Sequence, residues 1–309
     1  MAEKATPDSP KSAAATRLSL AMRCIGILVT LACLVYVGKA IWNNEEAVGR
    51  MAETPSLLWT IAGASLLWVG VNSLLGALWR SVGHCIGIEV SLSNSLVISY
   101  LSQIAKYLPG NVFHLAGRVW RARSMGLSAK SATLATVGES LALACVALLI
   151  GLPILGLLPY GTAIGFGIGV SAGVFAIVIL IRRAAFERLL HSLGVSELRL
   201  SGGTLVAILS ASAGVFALQY AMFLAVKAAL GVELELGAFE CFQMVTLTWL
   251  AGFVVVGSPG GIGVREATFA LFASSAEMQS TLLLIAALIR VSSILGDVLS
   301  FALGKWLER

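Results

Sequence analysis

The sequence predicts an all-α, polytopic membrane protein with about six full spans and two broken, re-entrant helical hairpins. Hydrophobic residues make up 58% of the 309 residues and charged residues only 12%, about half the share that a soluble domain carries. Seven apolar runs are long enough, or nearly so, to cross a hydrocarbon core, which takes about 20 residues per helix. Two further apolar stretches are interrupted by Pro-Gly. These observations exclude a water-soluble globule.

The chain begins with a polar segment. Residues 1–17 are rich in Ala, Ser, Pro and Lys and show no apolar period, which predicts a disordered cytoplasmic tail. The apolar run 18–38 is longer than the apolar core of a usual signal peptide, and no cleavage site follows it. We therefore expect a first span here and a single integral membrane domain over residues 18–309.

Six more apolar runs follow the first span. Each is expected to form a helix that is long enough, or nearly so, to cross the membrane. The runs are 56–78, 131–158, 161–180, 204–229, 241–256 and 281–303.

The distribution of Lys and Arg predicts the orientation of these spans. One set of segments between the runs holds 16 of the 21 Lys and Arg residues: 1–23, 79–130, 182–203 and 304–309. The opposite set holds three, together with six glutamates: 39–55, 153–161 and 227–240. The positive-inside rule therefore places both termini in the cytoplasm, and we expect a bacterial cytoplasmic (inner) membrane. The net charge of +5 marks this orientation and does not indicate a nucleic-acid partner.

Seven crossing runs would put the two termini on opposite sides, so one run is expected not to cross. The simplest solution is that 241–256 enters from outside, breaks at Ser258-Pro259-Gly260-Gly261 and returns through 264–274. The break contains residues that end helices or permit unusual backbone geometry.

A second hairpin is predicted from the cytoplasmic side. The stretch 92–107 breaks at Pro109-Gly110-Asn111 and returns through 112–121. Because three spans separate the two breaks, the hairpins point in opposite directions. This is the arrangement of an inverted-topology repeat, in which broken helices meet near the middle of the membrane and form a substrate site.

The first break is a candidate site for an anionic headgroup. The helix that follows Pro109, Gly110 and Asn111 begins with free backbone N–H groups, which attract phosphate or carboxylate. His114 and Arg118 lie four residues apart and share a face, and a guanidinium holds phosphate through two hydrogen bonds.

Other basic residues surround this first break. Lys106 and Arg121 add positive charge nearby. A second interpretation is that Arg118, Arg121 and Arg123 are orientation markers at the headgroup level, with His114 a core residue in a local hydrogen bond.

The second break is rich in glycine and is followed at once by two charges. Its glycines and proline are Gly257, Pro259, Gly260, Gly261 and Gly263. Arg265 and Glu266 come next. A charge inside a bilayer costs on the order of 3 kcal/mol, so these two side chains are expected to face each other, water or a ligand. The alternative is a structural ion pair in an interfacial loop.

Three further ionisable residues lie within apolar spans: Glu139, Arg290 and Asp297. Arg290 and Asp297 are seven residues apart, hence on one helix face and about 10 Å apart along the axis. With Arg265 they are expected to form one buried network or to line a path for a charged headgroup. The alternative is a set of buried pairs that fix helix packing.

Two strings carry a family resemblance: YLPGNVFHLAGR at 107–118 and SPGGIGVREA at 258–267. In this order, in a polytopic chain of this length, they resemble the lysylphosphatidylglycerol synthase transmembrane-region family, a flippase-like domain that also occurs alone. The likeness covers nearly the whole chain after the tail. The residues that match the two motifs are Pro109, Gly110, His114, Gly117, Arg118, Pro259, Gly260, Gly261, Gly263, Arg265 and Glu266.

This resemblance implies movement of lipids between leaflets, with aminoacylated phosphatidylglycerol as the best-known cargo. The sequence differs from the full-length synthases because it lacks their soluble aminoacyl-transferase domain, so a stand-alone form is expected. Stand-alone relatives are associated with glycolipid, polyprenyl-phosphate or hopanoid pathways. A lipid is the common factor.

The leading hypothesis is therefore a translocator for a lipid with an anionic phosphate, either an aminoacylated phospholipid or a polyprenyl-phosphate glycolipid. The alternatives are a membrane-embedded lipid-modifying transferase and a non-catalytic partner of a lipid or glycan synthase. Only two aspartates are present, so there is no Asp-rich magnesium motif, and HExxH, GxSxG and P-loop motifs are absent. The five cysteines show no metal-binding spacing. We expect neither an enzyme nor a cofactor nor a metal.

Overall fold

The computed structural model describes residues 55–107, 112–157, 199–255 and 259–309, and these residues form α-helices and no strand. The all-α prediction is confirmed. Several predicted features lie outside the described residues: the tail 1–17, the runs 18–38 and 161–180, Pro109, Gly110, Asn111, Gly257 and Ser258.

Eight α-helices are described: α1 (Pro55–Cys85), α2 (Leu92–Gln103), α3 (Phe113–Ser124), α4 (Ala129–Gly151), α5 (Gly202–Ala229), α6 (Ala238–Val254), α7 (Val264–Ala270) and α8 (Ala276–Leu307). Three short 3₁₀ helices adjoin them: Ile104–Tyr107, Leu152–Leu157 and Pro259–Gly261.

Four of these helices are long and apolar enough to cross a membrane. They are α1, α4 with its 3₁₀ extension, α5 and α8, with 28 to 32 residues in each candidate span. They correspond to the predicted runs 56–78, 131–158, 204–229 and 281–303. The run 241–256 forms the main part of α6, which has only 17 residues.

Serine side chains mark where four of the helices begin. Ser91, Ser128, Ser201 and Ser275 each accept a hydrogen bond from the backbone N–H three residues later, at 3.0–3.1 Å. Such a cap satisfies one of the backbone donors that the first turn of a helix leaves free. It starts α2, α4, α5 and α8 at defined residues.

The helix α1 lies at the centre of the described structure, in contact with α2, α4, α5 and α8. Its approach to α8 depends on Gly296, where an added Cβ would lie 2.6 Å from Trp68 Cβ and 2.7 Å from the Ser65 carbonyl oxygen. Small residues permit such close helix contacts in membrane proteins. The adjacent Asp297 is thereby brought against α1.

The two breaks each join a pair of helices that contact each other, α2 with α3 and α6 with α7. The second break contains Gly260, Gly261 and Gly263 with φ values of 59°, 73° and 85°, a backbone region that favours glycine. The second break also adjoins the 3₁₀ helix Ile104–Tyr107, because a Cβ at Gly260 would lie 3.8 Å from the ring of Tyr107.

Replacing Gly296 by alanine tests this packing. We expect Gly296→Ala to destabilise the protein by about 1–3 kcal/mol, because the new methyl group overpacks the contact between α1 and α8. The measurement is thermal unfolding in detergent. Gly63→Ala is the matched control, since a Cβ there meets nothing within 4 Å. Equal melting temperatures for the two variants would contradict this account of the packing.

Candidate functional site

The carboxylate of Asp297 is completely buried and receives four donors. Its Oδ1 accepts hydrogen bonds from Trp68 Nε1 at 2.8 Å and Asn72 Nδ2 at 3.0 Å, both from α1. Its Oδ2 accepts one from the Tyr107 hydroxyl at 2.5 Å and forms an ion pair with Lys106 Nζ at 2.6 Å. Each oxygen therefore has two partners, which is the condition under which a buried charge is tolerated. Asp297 joins α8 to the 3₁₀ helix Ile104–Tyr107, which precedes the first break.

Arg290 joins the same helix to the second break. One guanidinium nitrogen donates to the carbonyl oxygen of Gly260 at 2.8 Å, and the other lies 3.2 Å from Glu266 Oε1. The second oxygen of Glu266 accepts the backbone N–H of Gly263 at 2.5 Å. The glycine-rich turn is thus fixed to α8 through both its backbone and its carboxylate.

Arg118 and Glu139 form a third ion pair, between α3 and α4. Only 3% of Arg118 and 1% of Glu139 is exposed. The pair leaves some hydrogen-bonding capacity, because Arg118 Nε and Glu139 Oε1 are buried without a partner among the described residues. Arg118, expected as a phosphate ligand, therefore already has a carboxylate partner from the chain.

Arg265 differs from the other three cations. Within the described ranges its side chain has no ion pair or hydrogen bond, and its Nε atom is buried without a partner. Two glycines make room for it. A Cβ at Gly252 would lie 2.7 Å from Arg265 Cγ and Nε, and one at Gly261 would lie 2.9 Å from Nε.

All four cations line one cavity of about 80 Å³, together with Gly260 of the second break. The charged and titratable residues of its lining are Lys106, His114, Arg118, Glu139, Arg265 and Arg290, beside apolar groups such as Trp68 and Trp249. This volume is enough for several water molecules or for a group such as phosphate.

The charges around the cavity do not balance. Among the described residues, four cations line the cavity and three carboxylates are paired with them, so that the sum is one positive charge. Each of these carboxylates is paired with one cation, and Arg265 is the cation that has no carboxylate partner among the described residues. An uncompensated charge in a buried site is costly unless a partner of opposite sign is supplied. The arrangement therefore favours binding of an anion at Arg265.

Most of the described candidate residues meet in this region. His114, Arg118, Glu139, Gly260, Arg265 and Arg290 line the cavity, and Gly261, Glu266 and Asp297 contact residues that do. Gly263 donates its backbone N–H to Glu266. Pro259 begins the 3₁₀ turn of the second break. Arg290 and Asp297 both lie on α8, where Arg290 contacts the second break and Asp297 contacts the 3₁₀ helix Ile104–Tyr107.

Two basic residues near the first break do not line the cavity. Arg121 forms an ion pair with Glu308 at the C-terminal end of α8, and Arg123 is exposed.

Four residues of the site were not among the predicted site residues. From the sequence, Lys106 contributes only positive charge near the first break, and no role is predicted for Tyr107, Trp68 or Asn72. The position of Asn72 in the apolar run 56–78, four residues after Trp68, is a signal in the sequence, because a polar amide in a span needs a partner. Lys106 carries no such signal, since it lies in a segment rich in basic residues.

The comparisons with known proteins place the chain in a wider context. The family described as lysylphosphatidylglycerol synthase TM region matches residues 23–299, which include both breaks and all three ion pairs. No curated protein matches the chain in a sequence search.

Removing one partner of the Arg118–Glu139 pair tests how much the protein depends on this buried ion pair for its stability. We expect Glu139→Gln to lower the free energy of unfolding by about 3–5 kcal/mol, because it leaves a buried guanidinium unpaired. The double variant Arg118→Met with Glu139→Leu removes both charges and is expected to recover most of this loss. Unfolding by denaturant in detergent micelles, followed by circular dichroism, measures both. A double variant no more stable than Glu139→Gln would contradict this assignment.

Proposed function

We propose that this chain, which belongs to the lysylphosphatidylglycerol synthase transmembrane-region family, moves a lipid with an anionic phosphate in its headgroup between the leaflets of a membrane. The observation that carries the proposal is the cavity beside the second break, in which three cations have a carboxylate partner and Arg265 has none among the described residues. The family and the four long apolar helices make the chain an integral membrane protein with a lipid-related role.

The cavity supplies what a headgroup needs in order to cross. A phosphate in the hydrocarbon core of a bilayer loses its hydration, and this loss is the main barrier to unassisted crossing. Arg265 offers a charge-assisted partner in its place, and His114 Nδ1, buried without a partner in the described residues, offers a further polar atom at the same cavity. The acyl or prenyl tails would remain in the surrounding lipid.

The contacts of α8 suggest how access to the cavity alternates. Arg290 contacts the second break, and Asp297 contacts the 3₁₀ helix Ile104–Tyr107 of the other predicted hairpin. The two hairpins are therefore bound to α8 at points about 10 Å apart along its axis. Loosening one set of contacts would open the cavity on one side while the other set keeps it closed. In this proposal the hairpins are re-entrant, both termini face the cytoplasm and the protein lies in a bacterial cytoplasmic membrane.

Transport in vesicles tests the proposed function directly. We expect purified protein, reconstituted into vesicles, to accelerate the transbilayer movement of a fluorescent phosphodiester lipid, measured by chemical quenching of the outer leaflet. Arg265→Gln should slow this movement by about tenfold or more, because a charge-assisted hydrogen bond contributes about 1.5–3 kcal/mol. Arg123→Gln is the control, since this arginine is exposed and lies away from the cavity.

The same vesicles separate translocation from the alternatives. A translocator changes the sidedness of the lipid and leaves its mass unchanged, whereas a transferase yields a product that mass spectrometry detects. A partner of a lipid or glycan synthase would show neither effect alone. If the wild-type protein moved no plausible class of lipid, the proposal would be rejected.

The glycine cradle of Arg265 offers a second test. We expect Gly252→Ala to slow lipid movement about as much as Arg265→Gln does, because the new Cβ would occupy the place of Arg265 Cγ and Nε. Gly202→Ala is the control, since its Cβ meets nothing within 4 Å. Normal transport by a correctly folded Gly252→Ala protein would show that the observed position of Arg265 is not required.

A further inference from the structure

The carboxylates around the cavity are already neutralised by the protein itself. Glu266 lies against Arg290 and the Gly263 N–H, and Asp297 has donors on both oxygens. Glu139 is paired with Arg118. A cationic group on a ligand would therefore have to displace a buried arginine or lysine from its carboxylate, which leaves a buried charge uncompensated.

Arg265, the one lining cation without a carboxylate partner among the described residues, determines how much negative charge the cavity accepts. A phosphodiester carries one negative charge and would bring the total around the cavity to zero. A phosphomonoester carries about −1.5 to −2 at neutral pH and would leave an excess of negative charge. Because charge interactions are strong where water is excluded, a difference of one charge is decisive here.

One further hydrogen-bond acceptor indicates which chemical group is joined to the phosphate. Glu139 Oε1 is buried without a partner in the described part of the chain, although the charge of the carboxylate is balanced by Arg118. A hydroxyl group can donate to this oxygen without disturbing the ion pair. Glu139 and Arg265 line the same cavity.

We propose that the cavity selects a phosphodiester that carries one negative charge and is joined to a hydroxyl-bearing group such as glycerol or a sugar. Arg265 binds the phosphate and Glu139 Oε1 accepts from the hydroxyl. Aminoacylated and zwitterionic headgroups, whose ammonium finds no available carboxylate, are not preferred. This selectivity rests on the proposed passage of a lipid headgroup through the cavity, and it names the class of that headgroup.

Competition binding to the wild-type protein in detergent micelles tests the selectivity. The displaced probe is a fluorescent phosphatidylglycerol, and the competitors are phosphatidylglycerol, phosphatidylmethanol, phosphatidic acid and lysylphosphatidylglycerol with identical acyl chains. We expect phosphatidylglycerol to bind about tenfold more tightly than the last two, which have the wrong charge. Phosphatidylmethanol has the right charge but no hydroxyl, so we expect it to bind more weakly than phosphatidylglycerol and more tightly than the two lipids of the wrong charge. Equal or tighter binding of phosphatidic acid or lysylphosphatidylglycerol would overturn the proposal.

A soluble competitor and two variants complete the design. Glycerophosphoglycerol has the same polar group without acyl chains, and displacement at the same concentration as the lipid would assign the site to a free phosphodiester and overturn its assignment to a lipid. Arg265→Gln should abolish the preference among the lipids, whereas Arg123→Gln should retain it. A preference that survives in a folded Arg265→Gln protein, checked by its melting temperature, would contradict the role of Arg265.

Binding and transport distinguish failure of this inference from failure of the proposed function. Selective binding of phosphatidylglycerol without movement of any lipid would reject the translocator and retain the selectivity. Movement of lysylphosphatidylglycerol as fast as phosphatidylglycerol would reject the selectivity and retain the translocator.

Discussion

The buried carboxylate of Asp297 is the point on which the described structure depends. It is accepted inside an apolar helix bundle only because Trp68, Asn72, Lys106 and Tyr107 supply four donors. Two of these come from α1 and two from the 3₁₀ helix Ile104–Tyr107. The position of α8 against α1, which Gly296 permits, and the position of this 3₁₀ helix are therefore set by the same charge. Arg290, seven residues earlier on α8, does the same for the second break through Gly260 and Glu266.

Three of the four cations around the cavity have a structural role in ion pairs, and the fourth, Arg265, is the one that we propose binds the ligand. Three cations are paired with three carboxylates and fix the second break, the 3₁₀ helix Ile104–Tyr107 and α3 around the cavity, so their cost of burial is offset within the protein. Arg265 has no such partner among the described residues, and two glycines leave room for its side chain at the cavity wall. The proposed anion site rests on this difference between four cations and three carboxylates, and Glu139 and His114 each have a further polar atom without a described partner.

Part of this could be predicted from the sequence. The long helices follow from apolar runs such as 56–78 and 281–303, because length and hydropathy alone decide whether a helix can span. Arg265, Glu139, Arg290 and Asp297 were recognised because a charge in an apolar run needs a reason. Which side chains meet at each carboxylate could not be predicted. Tyr107 and Asp297, for example, are 190 residues apart and meet only through helix packing. Lys106 was overlooked as a ligand because its neighbours suggested a marker of orientation.

The most direct test of the central claim is a measurement of contact between Arg265 and the lipid phosphate. Solid-state NMR can detect dipolar coupling between ¹⁵N in labelled arginine side chains and ³¹P in vesicles of phosphatidylglycerol. The signal of Arg265 is identified by its loss in Arg265→Lys. The account predicts a strong nitrogen–phosphorus coupling for Arg265 and a much weaker one for Arg118 and Arg290, which are paired with carboxylates. Coupling confined to exposed arginines such as Arg123, with none at Arg265, would contradict it.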